Sequence, residues 1–341
     1  MSRGGPLRVG LAGAGWVTEH HLDAWETLKE RARVVAVADP RREAAEARAA
    51  RYGIPAVYGS VEAMLEAGGL DAVDVAVSRE AHVPVCRQAA DRGLAILCQK
   101  PLAPTLVEAR ALVAEIGGRA RMMVHENWRF RPHYRRIRSW IAEGRLGRVR
   151  TAVLQVLTSG LVPDADGALP ALVRQPMMAG LERMLLMEVL IHHVDTLRFL
   201  LGPLELRGAR LGRSCATIRG EDRAALFLTA PEGAAVTLVG DFMARGHPPE
   251  QLDRLELLGT DGAVELEEDR LRFVGGDGEE EVVSLDLAAN YEASYRGAIA
   301  HFLDRLADGG PFETAPEDNL ETLAIVEAAY RMGGEVAGGS P

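Results

Sequence analysis

Cysteine is scarce in this sequence, and the few cysteines form no recognisable pattern. Cys86, Cys98 and Cys215 are the three cysteines among 341 residues. An odd and widely spaced set does not build a disulfide framework, and these spacings match no zinc-binding motif. We therefore expect reduced cysteines, as in a cytoplasmic protein, and no metal site built from them.

Long apolar runs and excess positive charge are also missing. No stretch reaches the roughly 18–20 apolar residues of a membrane-spanning helix. The first six residues lack the apolar core of a signal peptide, so we expect a cytoplasmic protein. Asp and Glu outnumber Lys and Arg by 49 to 39, and the formal net charge is −10. Such an acidic chain is poorly suited to binding nucleic acid or an anionic membrane.

Lysine is nearly absent, although basic residues are common. Lys29 and Lys100 are the two lysines, and the other 37 of the 39 basic residues are arginine. Arginine stays protonated in proteins, whereas lysine can release a proton when its pKa is lowered. A lysine in so arginine-rich a chain is therefore a candidate for chemistry that arginine cannot perform.

The first third of the chain alternates apolar strands with helices. The length suits two domains, and 48% hydrophobic and 26% charged residues are typical of a globular protein. Repeated strand–helix units predict an α/β fold with a doubly wound parallel sheet, a Rossmann domain over residues 1–124. The six predicted strands are Leu7–Ala12, Val34–Ala38, Val57–Tyr58, Ala72–Val77, Leu94–Cys98 and Met122–Val124.

The character of the chain changes after residue 124, where strands become longer and turn signals separate several of them. This pattern predicts a mostly antiparallel sheet in a second domain over residues 125–341, with a glycine-rich tail from Gly333. The predicted helices are Pro132–Glu143, Leu181–Leu201, Asn290–Asp308 and Pro316–Met332. The predicted strands are Val149–Leu157, Leu204–Leu211, Arg223–Thr229, Ala234–Phe242, Leu252–Leu258, Ala263–Leu266, Leu271–Val274 and Glu281–Leu285.

A glycine-containing turn follows the first strand and opens the first helix. Gly13 allows a tight turn, and Gly15 lets the backbone approach a pyrophosphate that the helix N-terminus stabilises. The third fingerprint position is Thr18, so the motif is imperfect, but Asp39 ends the second strand 21 residues later, near the expected ~20. A carboxylate there favours NAD over NADP. Arg41 and Arg42 leave NADP open, and a glycine turn that binds nothing is the alternative.

Lys100 ends the fifth predicted strand, directly before Pro101. The carboxyl edge of an open parallel sheet is where such folds bind ligands. A surface lysine lying over apolar neighbours is the alternative, but the near absence of lysine elsewhere favours a functional role.

The predicted helix that ends at Leu201 carries a polar stripe. Glu188, His192 and Asp195 lie within about 40° of one another at 100° per residue, whereas His193 points elsewhere. A buried histidine flanked by carboxylates can act as a general base near neutral pH. The alternatives are an internal polar network, a metal site and a solvated face, and the flanking apolar residues favour burial.

Polar and aromatic residues follow the last strand of the first domain. Asn127, Trp128 and Arg129 lie at the predicted domain junction, a usual place for a substrate cleft. We expect them to contact a polar substrate ring, and a charged hinge is the alternative.

Together these motifs resemble the Gfo/Idh/MocA family, which includes glucose–fructose oxidoreductase and inositol dehydrogenase, over nearly the whole chain. The resemblance is carried by the Gly-x-Gly turn with His21 downstream, Ala38-Asp39-Pro40, His82, Cys98-Gln99-Lys100-Pro101-Leu102-Ala103, Arg129-Phe130-x-Pro132, Glu188-x-x-x-His192-x-x-Asp195 and Val326-Glu327-Ala328-Ala329-Tyr330.

The resemblance implies a Rossmann domain joined to an open-faced, mixed and mainly antiparallel sheet with helices on one face, and NAD(P)(H) between them. It implies a substrate-binding second domain that forms homodimers or homotetramers through its sheet. The cofactor contacts that it implies are Gly13, Gly15, Trp16, Val17, Asp39, Ser78, His82, Gln99 and Lys100. The substrate contacts that it implies are Lys100, Asn127, Trp128, Arg129, Glu188, His192 and Asp195.

The family pattern places a lysine, an acid and a histidine around the reacting carbinol, and these correspond to Lys100, Glu188 and His192. The chain departs from the pattern at three positions. Gln99 replaces a glutamate, Glu188 replaces an aspartate and Leu190 replaces a glycine. The longer acid and the bulkier Leu190 predict a reshaped substrate pocket.

These observations predict an NAD(P)-dependent dehydrogenase that oxidises a secondary alcohol of a sugar, sugar acid or cyclic polyol. His192 would remove the hydroxyl proton, Lys100 would stabilise developing charge on the same oxygen, and Glu188 would orient His192. Two alternatives stay open: a redox-neutral glycosidase or epimerase that recycles its cofactor, and a non-catalytic regulator that binds NAD or a sugar.

Overall fold

The computed structural model describes residues 5–334, which form two compact units. The first unit contains the described residues up to Arg131 together with Tyr291–Leu323. The second contains Pro132–Asn290 together with the described residues from Ala324 onward. The boundaries of these units differ from the predicted division at residue 124, because the first unit extends to Arg131 and also contains Tyr291–Leu323. Most of the predicted glycine-rich tail lies outside the described residues.

A parallel sheet forms the centre of the first unit. Its strands lie in the order β3-β2-β1-β4-β5-β6, and every neighbouring pair is parallel. The order reverses between β1 and β4, and such a switch point is where doubly wound sheets bind ligands. The predicted doubly wound sheet is confirmed. Its strands are β1 (Leu7–Ala12), β2 (Ala32–Ala38), β3 (Ala56–Tyr58), β4 (Ala72–Val75), β5 (Ala95–Gln99) and β6 (Met122–His125).

Five helices connect these strands: α1 (Val17–Thr27), α2 (Arg42–Tyr52), α3 (Val61–Ala67), α4 (Arg79–Asp91) and α5 (Leu106–Ile116). Two of these helices begin with a side-chain N-cap: the Ser60 hydroxyl accepts from Ala63 N at 3.1 Å, and the Thr105 hydroxyl accepts from Glu108 N at 3.2 Å. The Glu108 carboxylate accepts from the Thr105 hydroxyl at 2.7 Å, so the cap is tied to the first turn by two bonds.

The second unit is built on an eight-stranded sheet in the order β14-β13-β12-β11-β7-β10-β9-β8. Every neighbouring pair is antiparallel except β10 and β7, which are parallel. The predicted mixed, mainly antiparallel sheet is confirmed. Its strands are β7 (Val149–Leu157), β8 (Glu205–Gly212), β9 (Arg223–Thr229), β10 (Ala235–Asp241), β11 (Asp253–Gly259), β12 (Gly262–Glu267), β13 (Arg270–Gly275) and β14 (Glu280–Ser284).

The two faces of this sheet differ because side chains alternate along each strand. One row of paired residues on the inner face consists of six buried leucines: Leu226, Leu238, Leu154, Leu255, Leu266 and Leu271. The neighbouring row on the outer face consists of Phe227, Thr237, Val153, Glu256, Glu265, Arg272 and Val282. The outer face is therefore apolar on the β9, β10 and β7 side and charged across β11 to β13.

The helices of the second unit include α6 (Pro132–Ala142), α7 (Pro170–Arg174) and α8 (Ile191–Leu201). The predicted single helix Leu181–Leu201 is wrong in its first half, because a π-helix spans Leu185–Leu190 and only then does α8 begin. Buried Glu221 explains the change, since its carboxylate accepts from Leu186 N at 2.9 Å and its backbone oxygen accepts from Leu185 N at 3.3 Å. These bonds hold the start of the segment outside α-helical register.

The chain ends with α9 (Leu287–Asp308) and α10 (Pro316–Gly333). The α9 side chains Tyr295, Ile299 and Phe302 belong to the same buried core as Val9 and Trp25 of the first unit. This apolar contact is the physical reason why Tyr291–Leu323 packs with the first unit.

Three further properties concern residues 5–334 alone. All three cysteines are buried free thiols. No helix in this part of the chain is both long and apolar enough to cross a membrane. No three His, Cys, Asp or Glu side chains there come together as a metal-binding group.

Candidate active site

The glycine turn lies between β1 and α1, at the switch point of the parallel sheet. Gly13 has φ +107°, and a Cβ on it would lie 2.5 Å from the Ala76 carbonyl oxygen. Glycine is therefore required here by conformation and by space. A Cβ on Gly15 would meet no atom within 4 Å. Space in front of Gly15 is thus open to a ligand.

Asp39 closes the turn from the end of β2. One of its carboxylate oxygens accepts from Ala14 N at 2.8 Å, and the other accepts from Arg41 N at 2.8 Å. The Arg41 guanidinium lies 3.4 Å from the same carboxylate. The Arg42 guanidinium instead pairs with Glu46 along α2, 2.7 Å away. Of the two arginines that left NADP open, Arg41 is thus the one beside Asp39.

The imperfect third position of the glycine fingerprint has a local explanation. The Thr18 hydroxyl is buried and donates to the Gly15 carbonyl at 2.6 Å. The Arg48 guanidinium donates to the Gly15 carbonyl and to the Thr18 hydroxyl, at 3.2 Å each. The Thr18 hydroxyl thus connects the first turn of α1 to the glycine turn. A glycine at position 18 could not make its hydrogen bond to the Gly15 carbonyl.

Trp16 and Val17, two further predicted cofactor contacts, lie at the start of α1. Trp16 is 44% exposed, and its ring meets the His20 ring edge-on at 4.7 Å between centroids. Val17 is partly buried and packs against the apolar core. An exposed aromatic ring beside open backbone offers a flat surface to a ligand, whereas Val17 holds the helix in place.

Lys100 follows directly on β5, at the carboxyl edge of the parallel sheet. Its backbone N–H donates to the Gln99 side-chain oxygen at 2.7 Å. On the other side, Nδ1 of buried His82 lies 2.8 Å from the Pro101 carbonyl oxygen, and its Nε2 lies 3.2 Å from the Val77 carbonyl. His82, a predicted cofactor contact, thus braces the backbone around Lys100. Ser78 occupies the position before α4, and its hydroxyl does not cap that helix.

Gln99 belongs to a buried polar chain that the sequence reasoning missed. Its amide nitrogen lies 3.1 Å from His21 Nε2, and His21 Nδ1 lies 2.8 Å from an Asp74 oxygen. The Trp25 indole N–H donates to that same oxygen at 2.7 Å. A signal was available, because Asp74 is a charged residue within the apolar strand β4, and a buried carboxylate needs partners.

The segment after β6 is buried within the first unit. The Asn127 amide donates to the Ser294 hydroxyl at 2.8 Å. The Arg129 guanidinium donates to the Glu313 carbonyl at 3.1 Å and pairs with Asp318. The Trp128 ring lies under the Arg131 guanidinium, 3.8 Å away. Asn127 and Arg129 are thus bonded within the first unit, and their role as substrate contacts stays a prediction.

The predicted acid and base lie on consecutive segments of the second unit. Glu188 lies in the π-helix and is half-buried, whereas His192 and Asp195 lie in α8 and are 6% and 1% exposed. The constant 100° per residue assumed for this polar stripe is wrong between Glu188 and His192, because a π-helix turns less per residue than an α-helix. Burial of His192 and Asp195 agrees with the expectation from the flanking apolar residues.

Leu190, whose size predicts a reshaped substrate pocket, packs against β10 of the second sheet. It is fully buried, and a Cβ on Gly240 of β10 would lie 2.7 Å from a Leu190 methyl carbon. The Leu190 side chain therefore packs onto the sheet at Gly240, a strand position that has no side chain of its own.

Two buried acids in the second unit were not anticipated. Asp253 accepts from the Tyr134 hydroxyl at 2.8 Å, and its other oxygen lies 2.8 Å from His193 Nε2. His193 is thus held by a buried contact with Asp253, consistent with its predicted direction away from His192. Burial raises the pKa of Glu221, while hydrogen bonds from Tyr330 and Leu186 N oppose that rise.

The residues of the first unit fit a dinucleotide. The glycine turn has no room for a side chain at Gly13 and open space at Gly15, and it leads into the N-terminus of α1. Asp39 stands at the end of β2, where the adenosine ribose of a dinucleotide is bound in this fold. The fold and these groups define the class of dinucleotide-binding proteins.

Comparison with known proteins gives the particular family. Residues 7–126 match the model of the Gfo/Idh/MocA oxidoreductase family with an NAD-binding Rossmann fold, and residues 134–265 match the GFO/IDH/MocA C-terminal domain. The chain is 33% identical to a D-apiose dehydrogenase of Paraburkholderia graminis, over 94% of this chain and 86% of that protein. It is 28% identical to an inositol 2-dehydrogenase of Rhizobium meliloti, over 95% and 96%.

A solved structure agrees with these matches. The crystal structure of an oxidoreductase from Agrobacterium radiobacter in complex with NAD+, L-tartaric acid and magnesium superposes with a TM-score of 0.88, at 28% identity over 96% of each chain. The chain belongs to the Gfo/Idh/MocA family of oxidoreductases, and its first unit contains that family's NAD-binding Rossmann fold.

Proposed function

We propose that this protein is an NAD-dependent dehydrogenase that oxidises a secondary alcohol of a sugar, sugar acid or cyclic polyol. Membership of an oxidoreductase family with an NAD-binding fold supports the reaction type. The names of two relatives, a D-apiose dehydrogenase and an inositol 2-dehydrogenase, support the polyhydroxylated substrate class. Both relatives match over more than nine-tenths of this chain.

The observation that carries the proposal is the placement of Lys100. One of two lysines in the chain stands at the carboxyl edge of a parallel sheet, one strand away from the switch point. Its backbone N–H is held by Gln99, and the neighbouring Pro101 carbonyl is held by His82. A side chain on so well fixed a backbone is suited to a group that must meet a reacting oxygen reproducibly.

In the proposed mechanism, His192 accepts the proton of the substrate hydroxyl, because a neutral imidazole can do so near neutral pH. Lys100 donates a hydrogen bond to the same oxygen and stabilises its developing negative charge. Glu188 orients His192 or a neighbouring hydroxyl, and Asp195 anchors α8, where it lies 3.9 Å from the Arg198 guanidinium. Bound NAD supplies the hydride acceptor for this oxidation.

For the cofactor we propose contacts from Gly13, Gly15, Trp16 and Asp39. The open space at Gly15 and the exposed Trp16 ring support a bound dinucleotide at the start of α1. Asp39 favours NAD, since a carboxylate there repels the 2′-phosphate of NADP.

The test is NADH formation by the purified protein with NAD+ and a panel of aldoses, sugar acids and cyclic polyols that includes D-apiose and myo-inositol. Lys100→Met should lower kcat on the order of 10²–10⁴-fold, because the group that stabilises the oxyanion is lost. Lys29→Met is the matched control, since Lys29 is exposed and pairs with Glu26 on the surface of α1. Full turnover by Lys100→Met would refute the role of Lys100.

A silent panel would also be informative. Cofactor released from the denatured protein, without net NADH formation, would favour the redox-neutral enzyme. Weak, reversible binding of NAD without turnover on any substrate would favour the regulator. Activity with NADP+ equal to that with NAD+ would contradict the role proposed for Asp39.

We further propose a homodimer or homotetramer that forms through the outer face of the second sheet, and a cytoplasmic location. Exposed Phe227 and the neighbouring Thr237 and Val153 give that face an apolar half that a second copy could cover. Three buried free thiols suit the reducing cytoplasm.

A further inference from the structure

Three buried polar side chains form a continuous chain of hydrogen bonds that ends at the backbone N–H of Lys100. Asp74 and His21 are fully buried, and Gln99 is 7% exposed. The contacts run from Asp74 to His21 Nδ1 at 2.8 Å, from His21 Nε2 to the Gln99 amide nitrogen at 3.1 Å, and from the Gln99 oxygen to Lys100 N at 2.7 Å. These residues lie on β4, α1 and β5 of one unit.

We propose that Asp74, His21 and Gln99 are positioning residues that fix the backbone, and therefore the side-chain direction, of Lys100. This inference rests on the proposed function, because it assumes that Lys100 acts on the substrate. It gives Asp74 and His21 a role in positioning Lys100, although neither residue is predicted to contact the substrate.

The direction of every hydrogen bond in the chain follows from its last member. The Lys100 backbone N–H can only donate, so the Gln99 oxygen faces it and the Gln99 NH2 group faces His21. His21 Nε2 must then accept, so the proton of a neutral imidazole is on Nδ1. That N–H donates to Asp74, which as a carboxylate can only accept.

Asp74 requires the same hydrogen-bond directions from the other end of the chain. Its Oδ2 also accepts from the Trp25 indole N–H at 2.7 Å, and an indole can only donate. Two donors converge on one carboxylate in a site without exposed surface, where an unmade hydrogen bond is costly. The arrangement selects one tautomer of His21 and, through it, one orientation of the Gln99 amide.

The same argument explains why glutamine stands where the family pattern has a glutamate. A carboxylate at position 99 would accept from Lys100 N, but its second oxygen would face the accepting Nε2 of neutral His21. Carboxyl groups at positions 74 and 99 can both be satisfied only if one extra proton is shared between the His21 imidazole and the group at position 99, because one of the two must then donate to the other. Gln99 therefore matches a neutral His21, and the chain needs no proton uptake to hold Lys100.

The first measurement is the tautomer of His21. Long-range ¹H–¹⁵N NMR of the imidazole groups should show His21 with its proton on Nδ1 and an unprotonated Nε2, with the signal assigned by its loss in His21→Asn. A proton on Nε2, or a doubly protonated ring at neutral pH, would overturn the proposal. This readout does not depend on turnover, so it remains decisive even if the proposed dehydrogenase activity fails.

The second measurement uses Gln99→Glu. This variant should hold Lys100 only while the His21 imidazole and the introduced carboxyl group share one extra proton, so kcat should fall roughly tenfold or more relative to wild type once a rising pH removes that proton. The other ionisable groups facing His21 are Asp74, His125 at 4.2 Å between rings, Tyr295 at 5.5 Å and the adjacent His20. Gln88→Glu, which adds the same charge on α4, is the control and should keep the wild-type profile.

The third measurement removes the negative charge of Asp74 by combining Asp74→Asn with Gln99→Glu. The amide introduced at position 74 can accept a hydrogen bond or donate one, so it can donate to Nδ1. A neutral His21 can then carry its proton on Nε2 and donate to the carboxylate introduced at position 99. The new pH dependence of Gln99→Glu should therefore disappear in the double variant. A role limited to packing would leave the pH profiles of all these variants parallel to wild type, and that result would overturn the proposal.

Discussion

Gly13 and Gly15 are two residues apart, and they are glycine for different physical reasons. Gly13 has a left-handed backbone, and a side chain there would collide with the Ala76 carbonyl. Gly15 does not have a left-handed backbone, and a Cβ on it would meet no atom within 4 Å. The lack of a side chain there leaves space in which a pyrophosphate could approach the backbone. The fold therefore requires a glycine at position 13, and we expect the glycine at position 15 to matter for ligand binding.

Substituting the two glycines should separate these roles. Gly13→Ala should lower the free energy of unfolding by about 2–4 kcal/mol, from backbone strain and the clash with Ala76. Gly15→Ala should change it by less than about 1 kcal/mol, yet weaken NAD binding on the order of tenfold or more. Urea unfolding and NAD titration measure the two effects. Unchanged NAD affinity in Gly15→Ala would contradict a pyrophosphate at this turn.

His20 should make the stability of the first unit depend on pH. Burial lowers its pKa from the ordinary value of 6.5, and a positive charge on the adjacent His21 would lower it further, against the opposing charges of Asp23, Glu19 and Glu292. The unfolded chain thus binds the proton more readily than the folded chain. The contribution of His20 is fully present above about pH 6.5 and is lost as the pH falls through the lower folded-state pKa.

The variant His20→Gln should therefore show a shallower fall in unfolding free energy between about pH 7 and pH 5 than wild type. Denaturant unfolding at several pH values measures the slope. His247→Gln, which removes an imidazole from the loop before β11, is the comparison. Identical slopes for wild type and His20→Gln would show that burial of His20 has no energetic consequence.

At the scale of single elements, the start of α5 can be tested because it depends on one side chain. Thr105→Ala removes the acceptor for Glu108 N and the donor to the Glu108 carboxylate. The free energy of unfolding should fall by about 0.5–2 kcal/mol. Val107→Ala, on an exposed residue of the same turn, should change it by less than about 0.5 kcal/mol. Equal effects of the two substitutions would show that the cap contributes nothing.

In the segment from residue 181 to residue 201, the apolar periodicity predicts a helix but does not predict which type of helix forms. Its apolar pattern correctly indicates a buried helical segment, and α8 ends where the pattern ends. The pattern cannot show that Glu221, distant in sequence, bonds the backbone of Leu186. A carboxylate from another element therefore changed the helix type beneath Glu188, a residue on which the predicted stripe depended.

At the scale of the whole molecule, the outer face of the second sheet leads to a prediction about assembly. Phe227 is 47% exposed in the apolar half of that face, so Phe227→Arg should shift an oligomer toward smaller species. Light scattering coupled to size-exclusion chromatography measures the mass. Val173→Arg, at a 70% exposed valine of α7, is the control with the same change in charge. A wild-type monomer, or an oligomer insensitive to Phe227→Arg, would contradict assembly through this face.

Much of the architecture was accessible from the sequence alone. Strands β1, β7 and β9 have the predicted bounds, since their apolar patterns are unbroken and their turns are marked by Gly, Pro and Asp. The glycine turn, the position of Asp39 and the placement of Lys100 at a strand end follow from motifs a few residues long. Such features depend on local backbone preferences, which neighbouring residues determine.

Only the tertiary structure decided which polar groups meet. His21 and Asp74 are 53 residues apart, His21 and Gln99 are 78 apart, and Arg129 meets Asp318 across 189 residues. A sequence pattern shows that a polar group is buried, because it interrupts an apolar run. Which partner satisfies that group depends on how separate elements pack. Sequence therefore determined the fold and the identity of the candidate lysine, whereas packing determined how that lysine is held.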